Sequence, residues 1–443
     1  MNRSVRLIFL AGFIALIGAL DSTAWAEGLP RAKPEELGFS AERLDRIDRF
    51  YADKVERGEL AGIVTLVARH GRIVHFSAVG YADTASHRVM RTDDIFRFYS
   101  MTKPIAAAAL MLLYEEGKFR LDDPVSKYIP DFAGIRVLKT PDADIADTVP
   151  AGREPTIHDL FRHTAGFLHG LPKPAPQQNP IDAAYKKADL FNPMISLEEM
   201  MRRLTKIPLA YQPGSKWTYS LAQDVQARLV EILSGMPFDQ FLEKRLFMPL
   251  DMKDTSHVVS SDRASRLVPV HWMKDGHVVP CGEKYGCTNP VFGPAEVNGY
   301  TQNHVLKMGS SGLAGTTEDY WRFAQMMLNE GELNGHRLLG PDTVRYMARD
   351  HLGAVSVLNS TGESLGTGWG LGFAVVKDAT AAASLIPEGS LYWGGAANTF
   401  FWIDPRNDIV VVAMTQSMDA NMARWPALRE QLSAMVYGAL IHE

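Results

Sequence analysis

The chain has 443 residues, 46% hydrophobic and 22% charged, the balance of a globular protein with room for a sizeable core. Lysine and arginine number 46 against 51 aspartate and glutamate, and with no basic run or stripe the composition argues against a nucleic-acid partner. There are two cysteines and no His, Cys or acidic set at ligand spacing, so neither a metal nor an organic cofactor is expected.

The N-terminus carries the first directional signal. Arg3 and Arg6 precede an uncharged apolar run over residues 7–20, then Ala24-Trp25-Ala26 follows, the layout of a secretory signal peptide cleaved after Ala26. The run is shorter than the ~18–20 apolar residues that span a bilayer, and Asp21 closes it. Export to the periplasm or the medium is therefore expected, with no stable membrane span after cleavage. In an oxidising compartment Cys281 and Cys287, which bracket Gly-Glu-Lys-Tyr-Gly, are candidates for a short local disulfide.

Beyond the signal segment, residues 41–51 place Leu44, Ile47, Phe50 and Tyr51 at helical spacing behind Ser40, a residue type suited to cap a helix. The period then changes. Residues 63–68 and 73–77 are β-rich runs joined through Arg69-His70-Gly71-Arg72, a hairpin by its turn chemistry. From residue 121 to about 250 helical patterns alternate with Pro- and Gly-rich connections; residues 136–154, poor in apolar side chains, read as an excursion from the core. Residues 156–167 predict a short capped helix running into a glycine stop, residues 196–207 another, and Val225, Leu229, Val230, Ile232 and Leu233 a third, at whose entry Tyr219 sits. From about Gly309 the chain is expected to return to sheet, ending in a hairpin over residues 399–414 around Asp404-Pro405-Arg406-Asn407 and a helix over 426–441. His158, His163 and His169 do not share a helix face and read as structural residues.

Chemistry concentrates at residues 96–118. An aromatic, strand-like start gives way to an Ala/Leu-rich helix with Ser100 and Lys103 in its first turn. Three residues apart is one turn, so the hydroxyl and the amine share a face and the lysine is placed as proton partner of the serine. A helix N-terminus also favours a neutral lysine and a developing oxyanion.

Further motifs follow in order: Leu160 through Gly166, Pro213-Gly214 before Trp217-Thr218-Tyr219-Ser220, Gly312-Leu313 with residues 316–319, and Tyr392-Trp393-Gly394-Gly395. Together with Ser100-Met101-Thr102-Lys103, this series resembles the serine β-lactamase-like superfamily, which includes class C β-lactamases and penicillin-binding proteins, and within it most closely the family VIII carboxylesterases. The resemblance covers nearly all of the chain after the signal segment. It implies an α+β (layered α/β) fold, an antiparallel sheet flanked by helices and carrying an inserted mainly helical region. The expected division is a sheet domain from residues 27–104 and 296–443 and a helical insertion over 105–295. It also implies Ser100 as nucleophile, Lys103 and Tyr219 as the proton-transfer unit, and the backbone N–H groups of Ser100 and Ala396 as oxyanion hole. Unperturbed, Tyr and Lys titrate near ~10 and ~10.4, so one of them must fall by ~3 units to act as a base near neutrality; the residues alone do not say which.

Two departures set the expected substrate. Where β-lactamases carry a lysine-bearing triplet, this chain has Trp393-Gly394-Gly395, which removes a charge-assisted contact to a substrate carboxylate. Where class C enzymes have Tyr-x-Asn, it has Tyr219-Ser220-Leu221, which removes an amide contact. Trp393, Gly394, Gly395 and Leu221 are therefore the expected substrate-binding residues. Loss of polar recognition with the acyl chemistry intact points to a small-molecule ester. A class C-like β-lactamase, a D-amino-acid peptidase acting on cell-wall peptides and a transacylase use the same intermediate; a non-catalytic muropeptide binder would have no need for all three of Ser100, Lys103 and Tyr219. Gly362-Glu363-Ser364-Leu365-Gly366 matches a nucleophile elbow, but the glycines at 366, 368, 370 and 372 rule out the helix an elbow needs.

Overall fold

The computed structural model describes residues 29–170, 179–281, 299–359, 362–418 and 425–441. The expected signal segment and Cys287 lie outside them. Cys281 is buried and is not a free thiol.

Eight strands build one sheet: β1 (Gly62–Arg69), β2 (Arg72–Asp83), β3 (Arg88–Val89), β4 (Thr367–Trp369), β5 (Ala374–Val376), β6 (Leu391–Gly394), β7 (Phe400–Asp404) and β8 (Ile409–Met414). Their order is β4-β5-β6-β7-β8-β1-β2-β3, antiparallel throughout. The β1–β2 hairpin forms because His70 and Gly71 both take positive φ, 50° and 69°, as a tight two-residue turn requires. At the seam between the two ends of the chain, Leu66 of β1 stands opposite Val412 of β8.

Among the helices of the described residues, five matter most for the site: α1 (Ala41–Glu56), α2 (Thr102–Glu115), α3 (Ala222–Ser234), α4 (Thr317–Leu328) and α5 (Trp425–Ala439). Every residue of β1 and β8 is buried, so the central strands are covered on both faces. On one face Ile63, Val67 and Val411 share a core with Leu44, Ile47 and Tyr51 of α1 and Leu432 and Val436 of α5. On the other, Val64, Leu66 and Val412 belong to the larger core that includes Phe323 and Met327 of α4 and the length of α2. α2 is buried from Thr102 through Leu113, the environment its Ala- and Leu-rich sequence demands, and α3 packs along it.

The predicted caps form. Ser40 accepts from the Arg43 N–H, and Thr156 and Asp159 make a reciprocal capping box at the start of Ile157–Phe161. Three local expectations change. Residues 136–154 are not simply an excursion: Arg136–Leu138 pairs with Thr148–Pro150, and Val137 and Leu138 are buried. After Gly309 the chain forms only the short strand Ala314–Gly315 before Thr316 caps α4, whose Tyr320, Phe323, Ala324 and Met327 are apolar at helical period. The stretch between α2 and α4 also holds a hairpin, His271–Lys274 with His277–Pro280, joined in parallel to Ser417–Met418.

Candidate active site

The serine turn is held from both sides. Phe96–Arg97 pairs antiparallel with Ala314–Gly315, and Phe98 N–H donates to Leu313 O at 2.8 Å. Tyr99 then takes φ 48°, a left-handed conformation that a bulky residue rarely adopts. Its ring is fixed in a small cluster with Val270, Cys281, Ala397 and Met418, which holds the backbone there. One 3-10 turn, Tyr99–Met101, delivers Ser100 to the start of α2. Ser100 is half-buried, while Lys103, one turn on, is fully buried.

Lys103 Nζ donates to Ser100 Oγ at 3.3 Å and to Ser310 O at 2.7 Å. It also stands 4.6 Å from the centroid of the Tyr219 ring. Burial drives the lysine down to about 7, against the pull of the Asp224 carboxylate, so a substantial neutral fraction exists near neutral pH. Tyr219 moves the other way. Desolvation raises its phenol above the ordinary value, although hydrogen bonds to Ser100 and Trp393 oppose the shift. Burial thus favours the neutral form of both groups, the uncharged amine of Lys103 and the protonated phenol of Tyr219.

Tyr219 belongs to the extended segment before α3. Gly214 at φ 84° makes the turn into it, and Thr218 N–H donates to His163 O at 3.0 Å. His169 stacks on the Tyr219 ring at 5.0 Å, His163 lies at 4.9 Å and Trp393 at 5.2 Å. Trp393 Nε1–H donates to the Tyr219 hydroxyl at 3.2 Å.

Trp393 and Gly394 are the last residues of β6, opposite Phe401 and Phe400. Gly395 follows in a tight turn in which its N–H donates to Thr399 O at 2.7 Å. A Cβ at Gly395 would run into Phe98 O and Thr399 Oγ1. Glycine is needed for the β6 end to lie against the backbone just ahead of Ser100, and Ala396 then packs on the cluster that holds Tyr99. The structure so brings together Ser100, Lys103, Tyr219, Trp393, Gly394, Gly395 and Ala396. Leu221 is placed differently: it is buried in the large core, its N–H donating to Leu168 O at 3.2 Å.

Several site residues are not apparent from the sequence reading. His163, fully buried, is hydrogen-bonded between Ser220 Oγ (2.8 Å) and Gln223 Nε2 (3.3 Å), and burial holds it well below the usual imidazole range. Its ring therefore buttresses Tyr219 as a neutral group; its place within the Leu160–Gly166 motif was the available signal. Trp369 donates Nε1–H to Phe161 O at 3.0 Å and meets Trp393 edge-on at 4.6 Å, linking β4 to the site. Ser310 and Asp224 complete the surroundings of the lysine. Ser364 lies elsewhere: its hydroxyl donates to Thr367 Oγ1 at 3.1 Å, and a strand, not a helix, follows it. Among the described residues no group of three His, Cys, Asp or Glu side chains is arranged to hold a metal.

An antiparallel sheet flanked by helices, with a serine and a lysine one turn apart at the head of a buried helix, is the architecture of the β-lactamase and transpeptidase fold. The beta-lactamase family model matches residues 47–434, and the chain belongs to that family of serine hydrolases. It is 32% identical over 394 residues to "Esterase EstB" of Burkholderia gladioli, covering 85% of this chain and 91% of that protein. A "Putative D-alanyl-D-alanine carboxypeptidase" of Escherichia coli is 26% identical over 443 residues, covering 94% and 93%. Among solved structures, "EstCE1, a hydrolase with promiscuous acyltransferase activity" superposes with a TM-score of 0.72 at 28% identity, covering 90% of this chain and 98% of that one.

Proposed function

We propose that the protein is an exported serine carboxylesterase acting on small-molecule esters through an acyl-enzyme on Ser100. The observation that carries this reading is the contact between Trp393 and Tyr219: an indole stands where the resemblance places a carboxylate-binding cation, yet it still donates a hydrogen bond into the proton-transfer unit. In the proposed cycle neutral Lys103 takes the Ser100 proton as Oγ attacks the acyl carbonyl. The N–H groups of Ser100 and Ala396 receive the oxyanion. Tyr219, still protonated, hands its proton to the departing alcohol and is resupplied from Lys103. Water attacks the acyl-enzyme with the same pair as base, releasing the acid and restoring Ser100.

The relationship to EstB supports ester cleavage in particular. The test is paired hydrolysis of short-chain p-nitrophenyl esters and the cephalosporin nitrocefin by wild type, Ser100→Ala and Ser364→Ala. Ester turnover lost only in Ser100→Ala, with little nitrocefin cleavage, is the expected result. Efficient nitrocefin turnover would replace the esterase reading with a β-lactamase one. Export belongs to the same proposal, and a mature N-terminus at Glu27 is its readout.

A further inference from the structure

Asp224 has no role in the chemistry so far described, and it is an unusual group to find where it is. It lies in the first turn of α3, fully buried. A carboxylate there favours the helix dipole, but an exposed position would serve that purpose without the desolvation cost. One oxygen, Oδ1, accepts from Ser310 N–H at 2.9 Å. Ser310 is the same residue whose carbonyl accepts from Lys103 Nζ. Gly309 permits this approach, because a Cβ there would strike Gln223 O of the same helix turn. The segment carrying Ser310 is thus clamped between α3 and the ammonium.

We infer that Asp224 is a positioning residue for the general base: it holds Ser310 so that its carbonyl aims at Lys103 Nζ, and it presents a buried negative charge to that amine. This rests on the assignment of Ser100 and Lys103 made above. The ionisable groups that face the pair are Tyr219, from the segment before α3, and His163 and His169, from the loop after Ile157–Phe161; Asp224 is the carboxylate among them. Burial raises Asp224, opposed first by hydrogen bonds from Ser310 and then by the Lys103 charge, and burial lowers Lys103, opposed by the Asp224 charge. Two consequences follow. The ammonium retains its proton to a higher pH than burial alone would allow, and Nζ is fixed within reach of Ser100 rather than free to rotate among rotamers.

The direction of the effect can be tested. The neutral amine is the active form, so the acid limb of kcat/KM tracks Lys103. Removing the anion weakens proton binding and moves that limb to lower pH. Wild type, Asp224→Asn and Asp224→Ser are compared for p-nitrophenyl acetate hydrolysis across about pH 5–9 and for the rate of Ser100 labelling by a fluorophosphonate. Asn keeps the acceptor for Ser310 N–H without charge, and Ser is the alternative if Asn does not fold, as judged by Tm. The expected result is a downward shift of the limb by about one unit in both measurements. A folded neutral variant whose limb stays in place or moves up overturns the inference. Failure of wild type to label at Ser100 would instead overturn the proposed catalytic serine, so the two failures are distinguishable.

Discussion

The Trp393 indole N–H is bonded to the Tyr219 hydroxyl at 3.2 Å, and the two rings lie 5.2 Å apart. The donor fills one acceptor site of the phenol oxygen. Trp393→Phe keeps most of the ring and deletes the donor. Since one neutral hydrogen bond is worth about 1 kcal/mol, kcat for ester hydrolysis is expected to fall about five- to tenfold, with a smaller change in KM. An unchanged kcat would show that the contact only packs the wall.

Tyr219→Phe removes the proposed proton carrier and leaves the aromatic stack with His169 and His163 in place. General acid catalysis typically contributes about 10²–10⁴-fold, and kcat is expected to drop by that amount with Tm near wild type. Steady-state rates within threefold of wild type would remove Tyr219 from the chemistry.

The pH profile follows from the lysine. Burial lowers Lys103 to about 7, so kcat/KM should rise with pH through that value as the neutral amine accumulates. Tyr219 is displaced above its ordinary value, so no second rise from a tyrosinate is expected below about pH 10. A rate that is flat from pH 5 to 8 would contradict a lysine base.

Gly395→Ala drives a methyl group toward Phe98 O and Thr399 Oγ1. The turn has to open, and Ala396 moves with it. Loss of one oxyanion donor costs about 10²–10³ in kcat elsewhere, and a loss of that order is expected here. Full activity in the variant would place the oxyanion hole at another N–H.

Asp159 gives a stability prediction. Burial on its own would raise this carboxyl, but hydrogen bonds from Arg153, Thr156 N–H, Arg162 and Thr164 outweigh it and hold the group well below the usual carboxylate range. A depressed native value means the stabilisation is complete above the unfolded value of about 3.9 and is lost as pH falls below it. Asp159→Asn is expected to cost about 3 kcal/mol at neutral pH, with the deficit shrinking in acid. Denaturant titrations at neutral and acid pH test this, and a deficit independent of pH would mean that packing, not charge, is responsible.

Much of the architecture was legible because it is periodic. The 3.6-residue spacing of Leu44, Ile47 and Tyr51 gave α1, and the hairpin chemistry around Asp404 and Asn407 gave β7 and β8. Ser100 and Lys103 were legible because one helical turn is a local constraint. Leu221 was legible only as a letter beside Tyr219; its side chain points into the core, since it precedes a helix whose buried face includes Ala222, Val225 and Leu229. Asp224 and Ser310 were not legible at all. They lie 86 positions apart, and what joins them is the approach of Gly309 to Gln223, which leaves no pattern in either stretch.

The sheet seam has a consequence for how the molecule comes into being. β1 is flanked by β2 on one side and by β8 on the other, and Val64 must find Met414 across nearly the whole chain. A polypeptide that stops before β8 leaves the apolar central strand with an open edge, an invitation to pair with another molecule. The same truncated chain would have Ser100 and Lys103 but would lack Gly395 and Ala396 if it ended before β6. The proposed site is therefore completed last, by the C-terminal strands, after the serine and lysine helix has already been made.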